Sequence, residues 1–226
     1  MIVRRSLLAA LVLSFCHSFA SGAEPSPPAT LMAEPGKLLV DNPLDKVPEP
    51  RKGPGDWQVA DGALRGSERE ADHHGAVLRM PLKQRDVVLS YQFRLDGAKA
   101  TSLSFNDERE HVCRVMIGPR LFRVQRDDHD HDGPDKAVVF GQQNIPVKPD
   151  EWHTLVVELL GPEMVATLDG KHTEFGADEL LDRVKDNFGF TVSGDGVSFR
   201  NLQVWSATPK SGWDGRKASL KKSPST

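Results

Sequence analysis

The chain of 226 residues has two cysteines, one tyrosine and no excess of basic charge. Two cysteines cannot staple a disulfide-rich scaffold. A net charge of −3 and a pI near 6.2 leave no basic field of the kind a general nucleic-acid binder needs. Long apolar runs are also missing. The one clear run, residues 7–15, is shorter than the roughly 20 residues a spanning helix requires. Helical periodicity is equally scarce: only residues 177–185 read as helix, for about two turns. Without crossover helices an alternating βαβ architecture is excluded.

What is present is a core-forming composition, 38% apolar and 27% charged, enough for one domain without metal or disulfide support. Arg4 and Arg5, the apolar run and Ser21-Gly22-Ala23 have the layout of a secretory signal peptide over residues 1–23. Its removal predicts an exported chain of 203 residues, periplasmic or extracellular, with no transmembrane segment. The mature chain then carries 27 basic and 32 acidic residues and one cysteine, Cys113, which reads as buried and inert. Residues 24–35, with Pro25, Pro27, Pro28 and Pro35, read as a linker. Residues 208–226, with Lys210, Arg216, Lys217, Lys221 and Lys222, read as a flexible basic tail. The folded domain is predicted between them, over 36–207.

That region reads as strands. In residues 86–95, Val87, Leu89, Tyr91, Phe93 and Leu95 alternate with Val88, Ser90, Gln92 and Arg94, the period-two pattern of a half-buried strand. Asp61-Gly62, Gly118-Pro119-Arg120, Gly161-Pro162-Glu163 and Asp169-Gly170 separate further strand-like runs. Ten or more short strands at this spacing predict an all-β, antiparallel sandwich or jelly roll with one short helix.

Four segments resemble the 3-keto-disaccharide hydrolase domain family, a concanavalin-like jelly roll of secreted bacterial proteins. They are residues 56–64 around Asp61-Gly62, residues 86–95, Glu151-Trp152-His153 with the run to Asp169-Gly170, and the closing Phe199-Arg200-Asn201 strand. The resemblance spans residues 38–207. It differs at 100–103, at His153 and at Thr191-Val192, which marks a divergent member. It implies a carbohydrate partner and hydrolysis of a glycosidic bond. A non-catalytic carbohydrate-binding or cell-envelope interaction domain is the alternative.

Glycoside cleavage uses two carboxyl groups facing the sugar. Asp107 and Glu110, with His111 beside them, are the candidate catalytic set, on a stretch whose composition also suits a solvated turn. Gln92 and Arg94 lie opposite the aromatic row of their strand, and Arg114 and Arg123 are expected on neighbouring strands of one open polar face. Of these, Gln92, Arg94 and Arg114, together with Asn106 and His73, are the candidate substrate-binding residues, because planar polar side chains match paired hydroxyls. Asp128, Asp130 and Asp132 before Gly133 resemble the opening of a calcium loop, but Val139 stands where the closing glutamate belongs. No cofactor is expected beyond that weak calcium signal.

Overall fold

The computed structural model describes residues 26–49, 53–129 and 136–220, so the signal-peptide segment lies outside the described residues. The strands are β1 (Ala33–Asn42), β2 (Asp56–Ala60), β3 (Ala63–Ser67), β4 (Ala76–Gln84), β5 (Val87–Leu95), β6 (Ala98–Asn106) and β7 (His111–Gly118). They continue as β8 (Leu121–Arg126), β9 (Val138–Gln143), β10 (His153–Leu160), β11 (Glu163–Leu168), β12 (His172–Ala177), β13 (Lys185–Gly194) and β14 (Val197–Pro209). All pair antiparallel, in two sheets. An eight-stranded sheet runs β12-β11-β10-β5-β14-β3-β2, with β1 also on β14. A six-stranded sheet runs β4-β13-β6-β7-β8-β9. This is the jelly-roll sandwich the strand pattern predicts.

The inner faces supply one apolar core. Phe190 of β13 stacks on Phe199 of β14 with centroids 4.3 Å apart, and Tyr91 meets Phe190 at 4.9 Å. The Tyr91 hydroxyl and Trp57 Nε1 are buried in this core and find no hydrogen-bond partner among the described residues, a cost the apolar contacts offset. Burial pushes the Cys113 thiol up to about 12, so it is the inert core residue expected. Asp61 (φ 52°) and Gly62 (φ 72°) form the tight turn between β2 and β3. Asp96-Gly97 and Asp195-Gly196 instead carry the chain from one sheet to the other. Pro81 sits in β4, at a sheet edge where a missing N–H is tolerated.

The fold extends beyond both predicted boundaries. Residues read as linker enter β1 at Ala33, and residues read as tail continue β14 to Pro209 and then form α1 (Trp213–Leu220). The predicted helix at 177–185 is a single 3-10 turn, Glu179–Leu181, before β13 begins. Tertiary contacts explain both shifts. Glu158 of β10, buried on the outer side of the eight-stranded sheet, accepts the backbone N–H groups of Leu31, Met32 and Ala33 at 2.9, 2.7 and 2.7 Å. Trp213 packs with Met32, Val165 and Phe175, and its Nε1 donates to Glu163 at 2.6 Å. Ala33 and Trp205 also cover Val88 and Val156. So β5 is buried on both faces over part of its length, rather than half-buried throughout. Among the described residues no helix is long and apolar enough to cross a membrane.

Candidate functional site

The outer face of the six-stranded sheet is polar because its strands alternate. Leu103, Phe105, Val115, Ile117, Phe122, Val124, Phe188 and Phe190 point into the core. Their neighbours point out. Register then fixes one row of direct cross-strand neighbours: Arg79, Gly189, Ser104, Arg114, Gln125. A second row runs Val77, Thr191, Ser102, Met116, Arg123, Gln142. Ser102, Ser104 and Gln125 face outward yet are buried, so they form a low floor between taller side chains. At Gly189 an added Cβ would lie 3.1 Å from Arg79 Cγ, so glycine lets the arginine stem lie across the strand.

Beside the first row, two residues further along the strands, Asn106, Asn187 and His111 meet. Asn106 Nδ2 donates to Asn187 Oδ1 at 2.6 Å, and its Oδ1 bonds His111 Nδ1. Burial, then the nearby Arg114, lowers the His111 pKa, which favours the neutral ring. With Nδ1–H donating to Asn106, Nε2 is left as an acceptor, a tautomer assigned from the amide network. Arg114 is held by Asp127 at 2.8 Å, and the same carboxylate accepts from Gln125 at 2.8 Å. Arg123 Nε donates to Gln142 at 2.7 Å. A polar pocket of about 200 Å³ opens beside this network, lined by Arg79, Asn106, Asn187 and the β6–β7 loop residues 107–110. It is below the roughly 300 Å³ at which sites for drug-sized ligands begin, so it suits one ring or a terminal group.

The β6–β7 loop is fixed by Asp107. Oδ1 accepts the N–H groups of Arg109 and Glu110, both at 2.9 Å. Oδ2 lies 2.8 Å from Arg183 Nη1 and 2.6 Å from His129 Nε2. Burial alone would raise the Asp107 pKa. The hydrogen bonds from Glu110, Arg183, Arg109 and His129 outweigh it and hold the carboxyl well below the usual carboxylate range. Asp107 is therefore ionised near neutrality and has no proton to give a leaving group.

The structure brings Asn106, Asp107, Glu110, His111 and Arg114 to one end of the six-stranded sheet. It does not bring Gln92 and Arg94 there. These lie on β5, in the eight-stranded sheet, whose neighbours are β10 and β14 and not the strands of Arg114 and Arg123. The single open face predicted for these four residues is thus two faces on opposite sides of the sandwich. Alternation assigns a side chain to a face of its strand but not to a sheet. His73 sits exposed in the turn before β4, at the other end of that strand from Asn187, with left-handed backbone (φ 48°). Asp128 is described, whereas Asp130 and Asp132 lie outside the described residues. Among the described residues no three His, Cys, Asp or Glu side chains converge as metal ligands. Arg79 and Asn187 escaped the sequence reading. Each lies alone in an unremarkable strand, and only the pairing of β13 with both β4 and β6 exposes their role.

No protein-family model matches the sequence, and no curated protein matches it. Solved structures do. A carbohydrate-binding module from Bacillus subtilis is 16% identical with a TM-score of 0.56, over 67% of this chain and 92% of that one. A Bacillus subtilis protein of unknown function with a galectin-like fold is 13% identical, TM-score 0.62, over 79% and 100%. The laminarinase from Rhodothermus marinus is 10% identical, TM-score 0.60, over 78% and 99%. At these identities the likeness is one of fold: the chain is a galectin-like jelly-roll sandwich.

Proposed function

We propose that the chain is an exported carbohydrate-binding domain that holds a sugar on the outer face of its six-stranded sheet. The observation that carries this reading is the row Arg79, Gly189, Ser104, Arg114 and Gln125: a floor without bulky side chains between planar donors. Sugars present vicinal hydroxyls that planar side chains can bridge. His111 adds an acceptor, and Asn106 and Asn187 add amides in the adjacent row. The similar structures include a carbohydrate-binding module and a laminarinase, which supports a carbohydrate partner. Hydrolysis, as the 3-keto-disaccharide hydrolase resemblance implies, needs a protonated acid beside a second carboxylate. Asp107 is spent on Arg183 and two backbone N–H groups, which weighs for binding without turnover.

Arg79 is the cleanest probe, since it is exposed and makes no ion pair among the described residues. Arg79→Ala is expected to weaken binding of a responsive oligosaccharide about tenfold, the loss of one good charged hydrogen bond, with the melting temperature unchanged. Calorimetric titration against a panel of oligosaccharides, including 3-keto-disaccharides, reads this directly. Binding unaltered by Arg79→Ala, or release of free sugar by the wild type, would overturn the reading.

A further inference from the structure

The eight-stranded sheet carries its own polar cluster, where β10, β5 and β14 lie side by side. Trp152 precedes β10, one alternation beyond the Thr154–Gln92 pair and so level with Arg94. The guanidinium carbon of Arg200 lies 3.9 Å from the Trp152 ring centroid, and that of Arg94 5.1 Å. Arg200 Nε donates to Gln92 Oε1 at 2.8 Å, and Asn201 Nδ2 donates to the same oxygen at 3.0 Å. Gln92 Nε2 reaches Thr154 Oγ1 at 3.5 Å.

Consecutive residues of a regular strand point to opposite faces, so Arg200 and Asn201 should not share one acceptor. They do because β14 shifts register against β5 between Arg200 and Gln203, and Asn201 adopts φ 53°. A non-glycine residue in that region costs about 1 kcal/mol. Here the bulge turns two adjacent side chains onto one face, as bulges that re-aim side chains do.

The charges are unevenly matched. Arg94 is paired with Asp96 at 2.6 Å, and Asp96 also faces Arg65 at 3.9 Å and bonds Ser198. Arg200 has no carboxylate partner among the described residues, and its two Nη groups make no hydrogen bond there. A guanidinium stacked on an indole and fixed at Nε presents its remaining edge as a fork matched to a carboxylate. We infer that this cluster is a second ligand site, separate from the six-stranded face, which takes the carboxylate of a uronic-acid residue. Arg200 receives the carboxylate, and the amides of Gln92 and Asn201 lie beside it to meet ring hydroxyls. The assignment rests on the carbohydrate-binding reading only for the sugar, not for the anion.

The test is NMR titration of the folded chain at constant ionic strength, following the Trp152 indole N–H and the Arg200 Nε–H. Sodium D-glucuronate should shift both saturably in the millimolar range. D-glucose should not do so at tenfold higher concentration. Arg200→Lys, which keeps the charge but loses the fork, should weaken glucuronate about tenfold while the melting temperature holds. Arg79→Ala should leave this titration unchanged. No shift with glucuronate, an equal response to glucose, or wild-type affinity in Arg200→Lys would overturn the site. Sodium sulfate binding as well as glucuronate would overturn the uronic-acid assignment. If Trp152 responds as expected and no sugar perturbs the six-stranded face, the earlier reading alone fails.

Discussion

Replacing Glu158 with alanine is expected to lower the unfolding free energy by about 4 kcal/mol, the loss of three charge-assisted bonds to backbone N–H groups, two of them buried. For a chain of this size that is a fall in melting temperature of about 8–16 °C. Burial raises the Glu158 pKa, and the N–H groups of Leu31, Ala33 and Met32 work against that rise. The carboxylate is thus costly to bury and tolerated because it closes the N-terminal strap onto β10. Once the strap is released, Met32 leaves Trp213 and Val165, and Ala33 leaves Val88 and Trp205. Glu158→Gln should fall between wild type and alanine, since its amide keeps one oxygen acceptor but sets an NH2 group against backbone donors. Thermal melts of the three proteins check the order. An alanine variant as stable as wild type would show that the strap does not brace the fold.

The second large effect is acid sensitivity through Asp107. A carboxyl whose pKa is depressed in the folded state adds stability above its unfolded pKa, about 3.9. That stability is lost as pH falls from there through the folded value. Wild type is expected to lose about 2 kcal/mol through this group between about pH 5 and about pH 2. Asp107→Asn should be less stable than wild type by about 2 kcal/mol near neutrality, with a shallower decline on acidification. Urea midpoints at both pH values measure the difference. Parallel pH profiles for the two proteins would mean that Asp107 does not hold the loop through Arg183 and the backbone of residues 109 and 110.

These two carboxylates show what could and could not be read in advance. The strand character of β5 and the turn at Asp61-Gly62 are local properties, written in alternation and in turn residues, and both were legible. Glu158 looked like one more polar residue in a strand, because its partners lie 125 to 127 residues away. Residues 24–35 read as a linker because of Pro25, Pro27, Pro28 and Pro35, yet pairing with β14 carries Ala33, Glu34 and Pro35 into β1. Helix α1 contains Gly215 and is weakly amphipathic. It is held by Trp213 against Phe175 and by Glu163 rather than by its own periodicity. The candidate site was half legible. Asn106, His111 and Arg114 were found because they cluster on one stretch of chain, whereas Arg79 on β4 and Asn187 on β13 join them only because the jelly-roll order runs β4-β13-β6. Gln92 and Arg94 went to the opposite sheet because a period of two does not reveal that Asp96-Gly97 crosses between sheets.

The central claim is the location of the sugar site, and an amide-shift map with a bound oligosaccharide tests it most directly. The prediction is a contiguous footprint on Ser104, Asn106, Arg114, Gln125, Asn187 and Gly189, which are scattered over four strands and meet only on the outer six-stranded face. A footprint that avoids those residues, or no perturbation by any oligosaccharide at millimolar concentration, would contradict it.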